Sequence, residues 1–467
     1  MEDPRNPATV AAMDALLADL AAITGSDHVL ADEDMTRGYT TDWSRRYGGP
    51  ARCVVRPGST GETARVVALC ARHGVAVVPQ GGNTGLVAGG VPCQAGSGNP
   101  PVIVSVRRLL RLDPVDILSG QVTSGAGVTI ADLRGHAASA GFEYGVSLAS
   151  RDSATVGGTI ATNAGGVLKL RYGGTRAQVL GVEAVLADGS VISRLGGLQT
   201  DNSGYDLAQL LVGSEGTLGI VTAARLRLWP IEPPLLTLLA GVAGLGGALE
   251  LQAKVRAAAG GGVRAIEYFE AAGLALVRER TGLPAPLAEE HPAYLLVEIA
   301  GPEEYRANYE ERTGALPELQ AASAALDDPS RAALWAYRER HTESISAAGI
   351  PHKLDLAMPL TRMAAFRAEL DELIARFSAR AIVFGHIGVG NLHVNVLGPA
   401  PEDETVDEAV FRLVAAHDGT ISAEHGIGKA KARFLHLSRT PAEIAAMRAL
   451  KFALDPAGLL NPGVLLA

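Results

Sequence analysis

Cysteine is nearly absent. Three residues, Cys53, Cys70 and Cys93, occur in 467, at irregular spacing and without a CxxC pair. An odd, scattered set argues against a disulfide framework and against a cysteine-ligated iron–sulfur cluster, and it fits a reducing compartment. Aromatic residues make up 4% of the chain, too few to offer stacking platforms for bases. The net charge is −9 and no Lys/Arg-rich run occurs, so nucleic acid is not an expected partner. Nowhere do about 18 apolar residues follow one another, as an integral membrane helix requires. The opening residues, MEDPRNPATVAAMDALLADLAAITG, place acids where a secretory signal carries positive charge. A soluble, cytoplasmic protein is expected.

Glycine, in contrast, is abundant: 55 residues, and clustered. At about 150 residues per domain the length predicts two or three domains. Residues 1–45 read as helices with a connecting loop. From 46 to 230 the pattern mixes strands and helices. CVVRP and VAVVPQGG read as strands flanking the helix STGETARVVALCARHG, with Ser59 and Glu62 in capping-box spacing. VIVSV and SGQVTSGAG read as further strands, and VEAVLADGSVISR as a hairpin turning at Asp188-Gly189. The proline-rich WPIEPP suggests a boundary near 230. Beyond it, Ala-rich helices are expected over 246–260, 317–327, 329–348, 360–378 and 403–417. They alternate with the strands AYLLVEIAG, HKLDLAMP, AIVFGH and LHVNVLG, which predicts an α+β domain over 231–420. Residues 421–467 read as a loop, a helix and a tail. The fold class is α+β.

Three glycine-rich loops stand out: 79-PQGGNTGLVAGG-90, 153-SATVGGTIATNAGG-166 and 212-VGSEGTLGI-220. Small residues expose backbone N–H groups that can cradle phosphate oxygens. None of the three is a G-x-G-x-x-G opening a helix, and 125-GAGVTI-130 has Ile130 at the third glycine position. Three such loops in one domain fit a long polar ligand, a dinucleotide better than a mononucleotide. A second constellation lies in 385-GHIGVGNLHVNV-396, a strand–turn–strand that sets His386 and His393 at opposite ends of a turn. They are either hydrogen-bonded core histidines or metal ligands. Two neutral imidazoles suit a divalent transition metal, and Glu424 in 422-SAEHGIGKAK-431 could supply the usual carboxylate. Arg338 and Thr342 are four apart in a predicted helix, on one face. Lys353 and Asp355 alternate with Leu354 and Leu356 in a strand. A lysine at a strand start is either a solvated edge charge or a partner for an anion.

GGNTGL, VGGTIATNAGG, DNSGYDLAQLLVGSEGTLGIVT and EHGIG together resemble the FAD-dependent D-2-hydroxyacid dehydrogenases related to vanillyl-alcohol oxidase, from about residue 50 onward. The resemblance implies a two-subdomain FAD-binding domain, an α+β substrate-binding cap and a C-terminal helical segment. It implies non-covalent FAD, with Gly81, Gly82, Asn83, Thr84, Gly85 and Leu86 at the pyrophosphate. Ser153, Thr155, Gly157, Gly158, Thr162 and Gly165 would line the rest, and Glu215, Gly216 and Ile220 would border the adenosine side. Cys93 does not match a flavin-attachment motif. HxGxGNxH with SAEHG implies a divalent metal, zinc by preference, on His386, His393 and Glu424. His425 would be the general base and Asn395 would orient the hydroxyl. WAYRERHTES…HKLDLAMP is similar to the branch acting on D-2-hydroxyglutarate, where Arg338, Thr342 and Lys353 would contact substrate. Many members carry Asp where this chain has Val389. D-2-hydroxyglutarate or D-malate is the favoured substrate, with D-lactate, glycolate or D-mandelate as alternatives. Electrons would pass to a separate acceptor: an electron-transfer flavoprotein, a quinone or a cytochrome. A homodimer is a fair expectation. A zinc hydrolase without flavin would use the same His/His/Glu set, and flavin content separates the two.

Overall fold

The computed structural model describes residues 7–92 and 99–466. Cys93 lies outside them. The chain divides into two compact units. The first comprises residues 1–164, 174–230 and 424–467, and the second 165–173 and 231–423. Compared with the expected boundaries, the short segment 165–173 and residues 421–423 belong with the second unit.

Among the described residues, the first unit holds two four-stranded sheets. One runs in the order β1 (Val29–Leu30), β2 (Cys53–Val55), β4 (Val102–Ser105), β3 (Val77–Gln80), with β2, β4 and β3 parallel. The strand–helix–strand of 52–82 therefore closes around an intervening strand, since β4 inserts between the two. Its helix, Thr60–Arg72, starts where Ser59 accepts the Glu62 N–H, but the Glu62 carboxylate reaches Gly58 N and not the cap residue. Continuous apolar triplets suit strands covered on both faces, and β2 and β4 are buried throughout. Burial also pushes the thiols of Cys53 and Cys70 up to about 12, so both are inert apolar residues here.

The second sheet of this unit follows in the chain as β5 (Gln121–Gly125), β7 (Val179–Val185), β8 (Val191–Ser193) and β9 (Ile220–Arg227), ordered β5-β9-β7-β8 and antiparallel. A small ladder pairs β6 (Phe142–Glu143) with β10 (Trp229–Pro230). The β7–β8 hairpin turns through Asp188-Gly189 as expected, with Gly189 at φ 87° and Asp188 accepting from Ser190 N.

The second unit is one seven-stranded sheet with helices. Its strands are β11 (Pro234–Val242), β12 (Val263–Glu270), β13 (Ala293–Ala300), β14 (Ser323–Ala325), β15 (His352–Ala357), β16 (Arg380–Gly385) and β17 (Asn391–Leu397). Their order is β14-β11-β13-β12-β16-β17-β15. Two expectations fail here. Residues 317–327 are not a helix: a short turn Pro317–Leu319 gives way to β14, which pairs with β11 through Thr237↔Ala325. Sheet pairing overrides the alanine propensity. The expected helix 329–348 is two helices, Asp328–Glu339 and His341–Ala348, parted at Arg340. The first starts on Asp327, whose carboxylate accepts from Ser330 N. Among the described residues no helix is long and apolar enough to cross a membrane.

Candidate functional site

The glycine loops of the first unit are drawn together by their own backbone. A Cβ on Gly82 would sit 1.9 Å from Ser153 O, and one on Gly81 would sit 2.4 Å from Thr155 Oγ1. These glycines let loop 79–90 lie flat on segment 153–158, so packing as much as any ligand demands them. Thr155 caps the helix Val156–Thr162, accepting from Gly158 N, and Thr162 Oγ1 donates back to Gly158 O. Side chains at both ends pin loop 79–90. Gln80 Nε2 donates to Gly90 O at 2.7 Å, and Asn83 Nδ2 donates to Thr41 O at 2.8 Å. Asn461 Nδ2 joins Gly89 O to Glu215 O. What remains outward is the middle: Gly85 is exposed, with nothing within 4 Å of a Cβ built on it. A backbone held at both ends with an open centre fits an anionic ligand laid along it.

Two of the expected cofactor residues also make contacts within the protein. Ile220 is a core side chain packed among Val185, Val104 and Leu460. Glu215, at φ 52°, is buried, and its two carboxylate oxygens accept the N–H groups of Ile427 (2.8 Å) and Gly428 (2.7 Å). Burial pushes its carboxyl above the usual range, against those two N–H bonds and Lys431. The glycines of EHGIG are explained by the same clasp. A Cβ on Gly426 would meet the Glu215 carboxylate at 2.9 Å, and one on Gly428 would meet Val87 O at 1.9 Å. Glu215 thus fixes the loop that follows Glu424 and His425.

In the second unit, strand register builds the rest. Side chains opposite one another share a face of the sheet. Phe269↔Phe384, Phe384↔His393 and His393↔Asp355 form one row across β12, β16, β17 and β15. Ile382↔Asn395 and Asn395↔Lys353 form the next. The turn Ile387–Val389 then brings His386 back over His393, ring centroids 5.2 Å apart and nearly perpendicular at 86°. Gly390 at φ 76° makes that turn possible, since a Cβ there would meet Met358 O at 2.4 Å. The helix Asp328–Glu339 lays Arg338 against this face, its guanidinium 4.5 Å from the Phe384 ring centroid.

Carboxylates stand behind both histidines, one of them, Glu267, absent from the sequence reading and the other, Asp355, read there only as a neighbour of Lys353. Glu267, fully buried on β12, accepts from His386 Nδ1 at 2.6 Å and from Arg338 Nε at 2.7 Å. Asp355 lies 3.5 Å from His393 Nδ1 and accepts from Asn391 Nδ2 at 2.9 Å and from Ala423 N at 3.1 Å. A carboxylate can only accept, so Nδ1 of His386 carries the proton and Nε2 presents the lone pair that a metal takes. The donor set therefore fits a divalent ion. Glu424 and His425 follow Ala423 directly in the chain, so the Asp355–Ala423 bond sets where they begin.

Lys353 is half-buried, and burial lowers its pKa. Thr342 departs from expectation: it lies on the separate helix His341–Ala348 and is exposed, while Arg338 is buried. Its neighbour His341 is fully buried between Phe269 and Phe384, at 5.1 and 5.2 Å. Burial, with Arg338 adding to it, lowers the His341 pKa from 6.5 to about 3. The unfolded chain takes up this proton from about pH 6.5 downward and the folded chain only near 3. Stability should therefore fall on acidification within that window, by about 1.4 kcal/mol per pH unit, and not change above it on this account. Denaturant midpoints across pH, with His341→Leu flattening the slope, check this.

Comparison with known proteins agrees. Residues 51–194 match the family described as FAD binding domain, and residues 235–465 match FAD linked oxidases, C-terminal domain. The fold is shared with 4-ethylphenol oxidase from Gulosibacter chungangensis (TM-score 0.74, 18% identity, 98% of this chain and 97% of that one). It is also shared with an alkyldihydroxyacetonephosphate synthase (TM-score 0.75, 15% identity, 96% and 84%). The architecture is thus the vanillyl-alcohol oxidase type, and the protein is an FAD-dependent oxidoreductase. The chain is 35% identical over 468 residues to the mitochondrial D-2-hydroxyglutarate dehydrogenase of Bos taurus, covering 98% of this chain and 84% of that one. It is 36% identical over 446 residues to the D-2-hydroxyglutarate dehydrogenase of Xanthomonas citri pv. viticola, covering 91% and 92%. The chain belongs to the FAD-dependent D-2-hydroxyacid dehydrogenases. A flavin-free hydrolase is set aside.

Proposed function

We propose that this protein oxidises a dicarboxylic D-2-hydroxyacid, D-2-hydroxyglutarate or D-malate, to the 2-oxoacid, passing the electrons to a separate acceptor. The observation that carries this reading is the pair of cations, Arg338 and Lys353, brought onto the sheet face that bears His386, His393 and Asn395. One cation suffices for a monocarboxylate, and a second on the same face suits a second carboxylate. Relatives named D-2-hydroxyglutarate dehydrogenase support the same substrate.

Arg338 pairs the α-carboxylate, its orientation set by Glu267. Lys353 meets the distal carboxylate, and Asn395 beside it on the next strand orients the hydroxyl. His386, His393 and Glu424 are the ligand set, and His425 takes the hydroxyl proton. When bound, FAD supplies the hydride acceptor, and a divalent ion, zinc by its nitrogen-rich donors, supplies the charge that acidifies the hydroxyl.

The test is dye reduction by purified flavin-loaded protein with D- and L-isomers of 2-hydroxyglutarate, malate and lactate, with and without chelator. D-selective turnover of dicarboxylates, lost on chelation and restored by zinc, is expected. Lys353→Met should raise KM for D-2-hydroxyglutarate about tenfold, one carboxylate contact's worth, and leave any D-lactate turnover unchanged. Faster turnover of D-lactate than of either dicarboxylate by the unaltered protein would move the substrate assignment to a monocarboxylate.

A further inference from the structure

The geometry points to Glu267 as a positioning residue that ties the metal ligand His386 to the substrate-facing Arg338, so that one buried carboxylate sets both. This rests on the ligand and substrate roles proposed above. Glu267 is 0% exposed and comes from β12, while its two partners come from the turn after β16 and from the helix Asp328–Glu339. Each oxygen has its own donor: Oε1 takes His386 Nδ1 and Oε2 takes Arg338 Nε. Neutralising a buried arginine would need only one oxygen. The second holds an imidazole in the tautomer that ligates through Nε2. Arg338 is further fixed by the face of Phe384, so it has little room to move without drawing the carboxylate with it.

Glutamine makes the role testable because it has nearly the same shape and different hydrogen-bond roles. Its side chain offers one accepting oxygen and one donating NH2. Arginine can only donate, so in Glu267→Gln the oxygen goes to Arg338, since turning it away would leave a buried cation against a donor. The NH2 then faces His386 Nδ1. That nitrogen must become the acceptor, its proton moves to Nε2, and the ligating lone pair is lost.

The experiment uses flavin-loaded protein and measures zinc affinity by competition with a chromophoric chelator. Unaltered protein should bind zinc, and Glu267→Gln should bind it about 10–100-fold more weakly, the usual range for loss of a group that orients a ligand. Flavin content should be unchanged, which separates loss of the ligand's orientation from loss of the fold. The double variant Glu267→Gln/Arg338→Met removes the competing donor. The glutamine oxygen can then turn to His386, and zinc affinity should recover although KM rises. A residue that merely filled space would show no such recovery. If Glu267→Gln retains flavin and binds zinc as tightly as unaltered protein, or if the double variant shows no recovery, the inference falls and the proposed function stands. If unaltered protein takes up no zinc, the metal reading and this inference fall together.

Discussion

Replacing His425 with alanine is expected to lower kcat for D-2-hydroxyglutarate by about 10²–10⁴-fold, the range that a positioned general base contributes. The substitution leaves the flavin loops in place, since those are held by Gln80, Asn83 and Asn461. It also leaves the Glu215 clasp, which grips the backbone of Ile427 and Gly428 and not the His425 side chain. Flavin content should therefore match unaltered protein. The measurement is the rate of flavin bleaching on anaerobic mixing with substrate. Added imidazole should restore part of the lost rate. An unchanged bleaching rate would remove His425 from the reaction.

The second large effect is on stability. Glu215→Ala strands two buried N–H groups, Ile427 and Gly428, each worth about 1–3 kcal/mol when left without a partner. Loss of about 2–6 kcal/mol is expected, read as earlier release of flavin on heating and faster proteolysis within 424–431. Glu215→Gln keeps one acceptor and should lie between the two. Activity should fall with loop order, because Glu424 and His425 sit at the head of the segment that Glu215 anchors. If alanine at 215 leaves both the release temperature and the proteolysis rate unchanged, the clasp is not what holds the loop.

Legibility in the sequence followed chemistry type. The histidine turn, the strands HKLDLAMP and LHVNVLG and the glycine loops could be read because period-2 alternation and glycine clusters are local signals. Ser59 stands in capping spacing and caps its helix, while the Glu62 side chain serves Gly58 instead. Glu267 was not legible. VRAIEYFE is not among the strands expected from the sequence, and in β12 it buries this glutamate on the face of Ala265 and Phe269. Only the partners Arg338 and His386, 71 and 119 residues further along the chain, give it meaning. β11 is not legible because PLLTLLAGV is an unalternating run next to prolines, and it is buried on both faces. From sequence, the glycines of the first loop suggest close approach to a ligand. For Gly81 and Gly82 the close neighbour is the protein's own 153–158 segment.

The edge of β3 is closed by residues almost four hundred positions later. Val77 N donates to Leu459 O, Asn461 N donates to Val77 O, and Leu460 joins the core beside Val104. A ribosome reading from the amino end therefore produces the parallel sheet with one flank bare, and it stays bare through synthesis of the whole 231–423 unit. Exposed strand edges invite pairing with other chains. The nascent flavin-binding half has to be shielded until its final segment emerges, so expression yield should respond to chaperone supply more steeply than the finished protein's stability would suggest.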